Sequence, residues 1–435
     1  MRIAVIGSGI SGLVSAWLLA REHEVTLFEA NDYLGGHTHT HELSVGGERY
    51  AVDTGFIVHN PQHYPLLTSL FLELGVASQP TAMSFSVRSE RSGLEYNATT
   101  LNTLFCQRRN LLSPRFYHML RDLVRFYREA PALLTSDASG VSLGDYLAAG
   151  AYGATFRDEH LLPMAAALWS APAAAVLDFP AKFLVRFMAN HNMLQLTQRS
   201  PWQVVRGGSA TYVRALRARW YVKERLACPV RGVRRDERGV TLVSAAGSER
   251  FDQVVLACHS DQALALLEDA SSREHAVLGA IPYQMNEVVL HTDAALLPRN
   301  RRAWAAWNAL VPAGPSDRCT VSYCMNLLQG LRSADPFIVS LNPQTAIAPQ
   351  RVLRRLAYAH PLFTRAAVAA QANRETIQGH RRTWFAGAYW GFGFHEDGVR
   401  SAVEVCRALG VRVGIARCAP RPADPLSAPI SGVAA

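Results

Sequence analysis

Lysine is almost missing from this chain. Only Lys182 and Lys223 occur among 435 residues, so nearly all of the 44 basic side chains are arginine. Neither lysine lies in a recognisable motif, which leaves no ready lysine for work beside a cofactor. Also missing is any run approaching the roughly 20 apolar residues that a membrane-crossing helix needs. There is no C-x-x-C pair. The cysteines stand singly at 106, 228, 258, 319, 324, 406 and 418, the usage of reduced thiols in a cytosolic protein. The chain opens on the apolar pattern RIAVIG with no basic region and cleavage site before it, which reads as the absence of a signal peptide. The expected location is cytoplasmic, with a peripheral position on the inner face of the membrane as its variant. Net charge is +9. No recognised nucleic-acid module accompanies that charge, so no nucleic-acid partner is expected.

What is present begins at the first residues. Ile3–Ile6 is a short apolar run that ends on Gly7, as a buried parallel strand does. Gly7, Gly9 and Gly12 then form G-x-G-x-x-G. Gly7 permits a tight turn, Gly9 lets the backbone approach a pyrophosphate, and Gly12 lets the following helix pack close to the strand. Ile10 and Ser11 lie between them, and Leu13–Ala20 is apolar and helical. The helix N-terminus would face a diphosphate. A second strand, EVTLFE, ends at Glu29, next to Ala30, at the spacing of the acid that accepts from a ribose hydroxyl. An acid there disfavours a 2′-phosphate, so an NADP-type adenosine is not expected. No second G-x-G-x-x-G occurs, which implies one dinucleotide and no separate NAD(P)H domain.

Several further stretches carry a family resemblance. ANDYLGGHT, with Gly35, Gly36 and His37, resembles the FAD-binding extension of the flavin amine oxidase superfamily, where arginine usually stands in place of His37. VDTGF, with Thr54 and Gly55, resembles the loop that runs beneath the flavin. WFAGAYWGFGFHEDGVRSA resembles the C-terminal glycine-rich segment that returns to the first domain, with a strand at Thr383–Ala386, a loop, and a helix beginning near Gly398. The resemblance places Gly391, Gly393, Asp397, Gly398 and Val399 on FAD, the helix giving a second set of N–H donors to the flavin or its phosphate side. Val230, after Cys228-Pro229, takes the position whose backbone meets the adenine. More narrowly, GGHTHT, VDTGFIVHN, DQVVLACHSDQAL, AWAAWN and WGFGFHEDG resemble a bacterial branch of predicted NAD/FAD-binding oxidoreductases encoded near cyclopropane-fatty-acyl-phospholipid synthases. That likeness runs from residue 1 to about residue 410. It implies FAD as cofactor and a functional link to a cyclopropane-fatty-acid synthase-like enzyme.

The expected fold is α/β: a Rossmann-type FAD-binding domain interleaved with an α+β substrate domain, as in amine oxidases. The first would comprise residues 1–75, 200–276 and 376–411, including the return of the chain in VVRGGSATYVRAL. The second would comprise 76–199, mostly helical, and 277–375, with strands in NEVVLHT, RAWAAWN, CTVSYCMN and FIVSLN followed by a helix. Residues 412–435, rich in Pro, Ala and Ser, are expected to be disordered.

For catalysis, His395 and Glu396 fall in the loop that passes the flavin ring; they serve either as polar catalytic groups or as packing. His59, with Tyr64 nearby, is a third candidate. His37, His39 and His41 alternate along the chain, but with no acid or cysteine at ligand spacing they are expected to meet FAD or solvent, and no metal is expected. The leading function is hydride transfer between flavin and an apolar, unsaturated or modified fatty-acyl substrate. One alternative is an amine oxidase, with an aromatic cage formed by Trp390 and either Tyr389 or Trp304. Others are a structural FAD that supports non-redox lipid chemistry, and a non-catalytic partner of a lipid-modifying enzyme. SPRFYHMLRDLVRFYREAPALL places Phe116, Leu120, Leu123, Phe126 and Tyr127 on one helical side and Arg115, His118, Arg121, Arg125 and Arg128 on the other. Such a helix lies either on an anionic bilayer or on the surface of the substrate domain with its charges solvated.

Overall fold

A computed structural model describes residues 1–137, 140–195, 200–314, 316 and 318–414. The tail from residue 415, part of the segment expected to be disordered, lies outside the described residues.

Five short strands form a parallel sheet in the order Val222–Arg225, Glu24–Phe28, Arg2–Ile6, Gln253–Leu256 and Thr383–Phe385. Strands covered on both faces need apolar residues at successive positions, and alternate side chains here enter different cores. Ile3, Val5, Val25 and Leu27 pack on the helical side. Ala4, Ile6, Phe28 and Val254 pack on the other, against a three-stranded antiparallel sheet spanning residues 230–251. The helices that matter for the site are α1 (Ile10–Leu19), α2 (Pro65–Leu74), α3 (Pro114–Glu129), α4 (Leu162–Trp169), α5 (Ala181–Asn190), α6 (Ala210–Arg217) and α7 (His395–Ala408).

A seven-stranded sheet runs in the order Val352–Pro361, Tyr283–His291, Ile338–Leu341, Thr320–Cys324, Trp307–Val311, Phe85–Ser89 and Glu95–Asn97. The stretch expected to be mostly helical therefore starts with strands, at Ser78–Thr81, Phe85–Ser89 and Glu95–Asn97. The strand expected in RAWAAWN begins only at Trp307, because Arg301–Ala303 forms a 3₁₀ turn with Asn300 as its N-cap. Between FIVSLN and the helix Arg365–Ala372 lies the long edge strand Val352–Pro361. Its half-exposed arginines and apolar residues give no clean alternation. α1 starts at Ile10 rather than Leu13 because Gly9 is its N-cap, and α7 starts at His395, ahead of Gly398.

Asp53 joins these parts. It is fully buried and accepts from the Ser209 N–H (2.9 Å), the Ser209 hydroxyl (2.8 Å) and the Thr40 hydroxyl (2.5 Å). The Gln329 side-chain amide donates to its other oxygen (3.1 Å). One carboxylate thus holds the hairpin of residues 40–53, the start of α6 and the helix Met325–Gln329. Burial raises its pKa to about 6. The folded state therefore keeps a proton between roughly pH 4 and 6 that the unfolded chain releases, and this group's contribution to stability declines as pH rises through that window. Asp53→Ala, which leaves several buried donors without an acceptor, is expected to lower the unfolding free energy by about 2–3 kcal/mol in urea titrations; an unchanged midpoint would contradict the role assigned to this carboxylate.

Candidate flavin site

All ten residues of α1 are buried, yet Gly9 supplies no side-chain cap and no acid stands in the first turn. A helix end buried in this way leaves N–H groups in need of an acceptor. A Cβ on Gly9 would meet nothing within 4 Å, whereas one on Gly12 would lie 1.9 Å from the Gly7 carbonyl oxygen. Open space therefore borders the helix start, and the turn behind it admits only glycine. These are the features of a diphosphate cradle.

Glu29 lies at the second strand's end. One oxygen accepts from the Ser8 N–H (2.9 Å) and hydroxyl (2.6 Å), the other from the Asn31 N–H (2.8 Å) and side-chain amide (2.9 Å). A ribose hydroxyl would take the place of one of the two side-chain donors, while the backbone donors keep the carboxylate in position. Ala30 beside it is exposed. Cys228 donates its N–H to the Glu29 carbonyl (2.9 Å), which sets the turn leading to Val230 against this acid.

Gly36 approaches Gly9 so closely that a Cβ on it would be 3.2 Å from the Gly9 Cα, and Gly35 and Gly36 both have positive φ. A Cβ on Gly55 would be 2.1 Å from the His37 carbonyl oxygen, to which Phe56 donates its N–H (2.8 Å). The three motifs are therefore stacked on one another. His37 Nε2 is buried without a partner. Burial, with His360 and His259 near, holds its imidazole well below the usual histidine pKa, so it stays neutral. Where the family pattern has arginine, this chain offers a hydrogen bond without charge. His39 and His41 meet hydroxyls, of Tyr358 (3.2 Å) and Thr54 (3.2 Å), and Thr54 also meets Tyr358 (2.9 Å). Among the described residues no group of three His, Cys, Asp or Glu is disposed to hold a metal ion.

The C-terminal glycine stretch closes on the first. The Ser11 hydroxyl donates to the Gly398 carbonyl (3.0 Å), and a Cβ on Gly398 would be 2.6 Å from Ile10 Cγ2. Asp397 accepts from the N–H groups of Phe392 (2.9 Å) and Phe394 (3.1 Å) and pairs with Arg400, which pins the loop. Gly391 has no room for a Cβ beside Asp397, and Gly393 has φ +89°. Val399 is fully buried in the core of the nucleotide layer.

Glu396, expected either as a catalytic group or as packing, caps a helix. Its two oxygens accept from the N–H groups of Leu66 and Leu67 (3.0 Å each), capping α2, which has no side-chain cap of its own. Burial lifts its pKa to about 7. Glu396 and Asp397 both stand in the first turn of α7, where carboxylates sit favourably with the helix dipole. His395 faces the meeting point. Its Nε2 is 3.0 Å from the Thr38 hydroxyl and 3.3 Å from that of Tyr212, these hydroxyls bond to each other, and its ring stacks on Phe56 at 3.6 Å. Burial, with His59 near, pulls its pKa down to about 3. His59 is buried against Phe71, bonds the Ser78 hydroxyl (3.1 Å), and is pushed by burial to about 4.

Thr38, Phe56 and Tyr212 escaped the sequence reading, although each lies inside or next to a motif it singled out. The aromatic cage does not assemble. Trp304 donates to the Pro298 carbonyl (2.8 Å) with Arg301 over its ring, whereas Tyr389 and Trp390 pack on each other in the core behind the nucleotide sheet. Instead, Phe392 and Phe394 of the glycine loop pack against α4 and α5: Trp169 donates to the Phe392 carbonyl (2.9 Å), Phe183 lies 5.0 Å from Phe392, and Phe187 stacks on Phe394 at 5.0 Å. Lys182 is tied to the Ser136 carbonyl (2.9 Å) and Lys223 is exposed on the outer strand.

The chain belongs to the flavin-containing amine oxidoreductase family, whose profile matches residues 10–303. It is similar to the tryptophan 2-monooxygenase of Allorhizobium ampelinum, at 60% identity over 42 residues, and to the flavin-dependent L-tryptophan oxidase RebO of Lentzea aerocolonigenes, at 44% over 55 residues. These matches cover 9% and 12% of this chain and only 6% and 12% of those relatives. Among solved structures, cyclohexylamine oxidase from Brevibacterium oxydans IH-35A shares the fold with a TM-score of 0.66 at 17% identity, over 94% of this chain and 99% of that one. A CLA-producing fatty acid isomerase from P. acnes does so with a TM-score of 0.66 at 17% identity, over 93% and 98%. The cofactor is FAD, and the uncapped buried start of α1, the open space at Gly9 and the unpartnered His37 Nε2 fit it.

Two outcomes follow. Gly12→Ala, which sets a methyl against backbone, is expected to yield folded protein with less than about a tenth of the wild-type flavin absorbance; full retention of flavin would contradict the cradle. Because His395 and His59 are held neutral, their contribution to stability is complete above about pH 6.5 and is lost as pH falls towards 3–4. Thermal unfolding should show the midpoint falling across that window, with a shallower fall in His395→Phe.

Proposed function

We propose that this protein is an FAD-dependent oxidoreductase that moves hydride between flavin and an apolar substrate, an unsaturated or modified fatty-acyl chain. The observation that carries this reading is the lining of the glycine loop. Phe392 and Phe394 pack in an aromatic cluster with Trp169, Phe183 and Phe187, so apolar rings adjoin the loop, and the four buried acids near the glycine motifs, Glu29, Asp53, Glu396 and Asp397, are each engaged by protein donors. Apolar surroundings of this kind favour a hydrocarbon chain, whereas a cationic amine would have to compete with protein donors for each of these four carboxylates. The fold itself hosts both amine oxidases and a fatty acid isomerase, so the choice rests on the lining. A synthase that builds cyclopropane rings on acyl chains would act on the same class of molecule.

Bound FAD supplies the hydride acceptor or donor. The residues of this chain position and shield. Glu29 and the α1 N–H groups would hold the nucleotide, and Asp397 fixes the loop that carries Phe392 and Phe394. His395, neutral at physiological pH, shares hydrogen bonds at Nε2 with the hydroxyls of Thr38 and Tyr212, and burial keeps the Tyr212 phenol protonated. These three groups form a short relay able to pass a proton without charging the pocket.

The test is an anaerobic visible spectrum of the flavin-loaded protein, recorded while phospholipids with unsaturated or methylated chains are added, and separately while primary amines are added. Bleaching of the oxidised flavin by lipid and not by amines is the expected result. Bleaching by amines alone would refute the acyl reading. His395→Phe should keep the flavin and slow this reduction by roughly ten- to a hundredfold.

A further inference from the structure

The exposed apolar side chains are unevenly placed. Among the described residues ten large ones are exposed, and five of them, Leu101, Leu111, Leu112, Tyr117 and Val124, belong to a single stretch of sequence. Leu112 is 89% and Leu101 77% exposed. Leu101, Leu111, Leu112 and Tyr117 gather at one place: the Tyr117 hydroxyl donates to the Leu111 carbonyl (3.1 Å), Phe105 packs beside the Tyr117 ring at 6.0 Å and donates its N–H to the Leu101 carbonyl (3.0 Å), and Arg108 donates to the Phe105 carbonyl (3.0 Å). The apolar side of α3 is not part of it, since Phe116, Met119 and Phe126 are turned into the core. What α3 shows outside is Tyr117 and Val124 set among Arg115, His118, Arg121 and Arg128. Residues 101–129 contain six arginines against two acids. Of those acids, Asp122 is buried and receives the Gly153 N–H (2.8 Å), and Glu129 is paired with Arg125 and Arg128.

A cavity of about 240 Å³ opens at the foot of this patch, lined by Arg109, Asn110, Leu112, Ser113, Arg115 and Glu159 among others. Asn110 is only 5% exposed, and its side-chain amide nitrogen is buried without an acceptor. The carboxylate of Glu159 is neutralised, accepting from the hydroxyls of Ser89 (2.8 Å) and Ser92 (2.6 Å) and from Arg115 (2.8 Å). The cavity thus combines a donor lacking an acceptor, two arginines and a rim leucine that stands in solvent.

We propose that this face docks on an anionic phospholipid bilayer, with Leu101, Leu111, Leu112 and Tyr117 entering the headgroup region and one lipid phosphate seated between Arg109, Asn110 and Arg115. Apolar side chains flanked by arginine suit the boundary between acyl chains and anionic headgroups, and arginine matches phosphate geometry better than lysine would. The inference stands apart from the acyl reading, because docking requires no turnover.

Flotation of the flavin-loaded full chain with vesicles tests it. Vesicles of phosphatidylcholine mixed with phosphatidylglycerol should carry the protein upward, vesicles of phosphatidylcholine alone should not, and raised salt should weaken the binding. Reversing Arg109 and Arg121 to glutamate should lower partitioning roughly fivefold or more for each residue, and Leu112→Asp should lower it further, with the flavin spectrum and melting temperature unchanged. Inorganic phosphate alone should leave the protein on the vesicles. Failure to float with anionic vesicles, equal flotation with neutral ones, unchanged flotation of these folded variants, or full release by inorganic phosphate would each overturn the proposal.

Discussion

The contact between Ser11 and Gly398 is the constraint on which the rest of the molecule depends. It joins the first helix to the last across 387 positions. It is a close approach: Gly398 can lie against Ile10 only because it lacks a Cβ. Closing so long a loop adds little entropy cost over closing a shorter one, so the chain can send its intervening residues elsewhere and return. The seven-stranded sheet and the helices α3–α5 occupy that detour, and the aromatic side chains of the returning loop are buried against them. A nucleotide cradle at one edge and an apolar wall at the other are consequences of one closure.

Buried carboxylates fasten the remaining segments. Glu29 holds the first glycine turn to the residues after the second strand, Asp53 holds the start of α6 and the helix Met325–Gln329, Asp397 holds the C-terminal loop, and Glu396 caps α2. Burial works against the charge at Asp53 and Glu396 and raises both pKa values, so these groups are tolerable only with several donors each. The same arrangement leaves Glu396 and Asp397, at the flavin loop, engaged by protein donors.

The nucleotide layer was legible because its signals are local. A buried parallel strand, three glycines with distinct steric duties, and an acid at the end of the next strand all lie within the first 29 residues. The strands at 283–291, 320–324 and 338–341 were legible for the same reason, as compact apolar runs. What failed depended on partners far away in sequence. The capping contact of Glu396 could not be read locally, because nothing near it shows that Leu66 and Leu67, some 330 positions earlier, need a cap. Trp304 and Trp390 read as two walls of a cage, but Trp390 lies in the core behind the nucleotide sheet, whereas Trp304 is held by the Pro298 carbonyl under Arg301. The strand Val352–Pro361 lies on a sheet edge, where half-exposed arginines erase the alternation that marks a strand. Asn110 and the cavity beside it leave no mark in the sequence at all.

The most direct measurement of the central claim is a crystal structure of the flavin-loaded protein. The account predicts one FAD per chain, with its diphosphate on the N–H groups of Ile10–Gly12, its adenosine ribose on Glu29, and its ring beside the 391–395 loop next to His395. A flavin bound elsewhere, or a dinucleotide touching only the first glycine stretch with the C-terminal loop turned away, would contradict it.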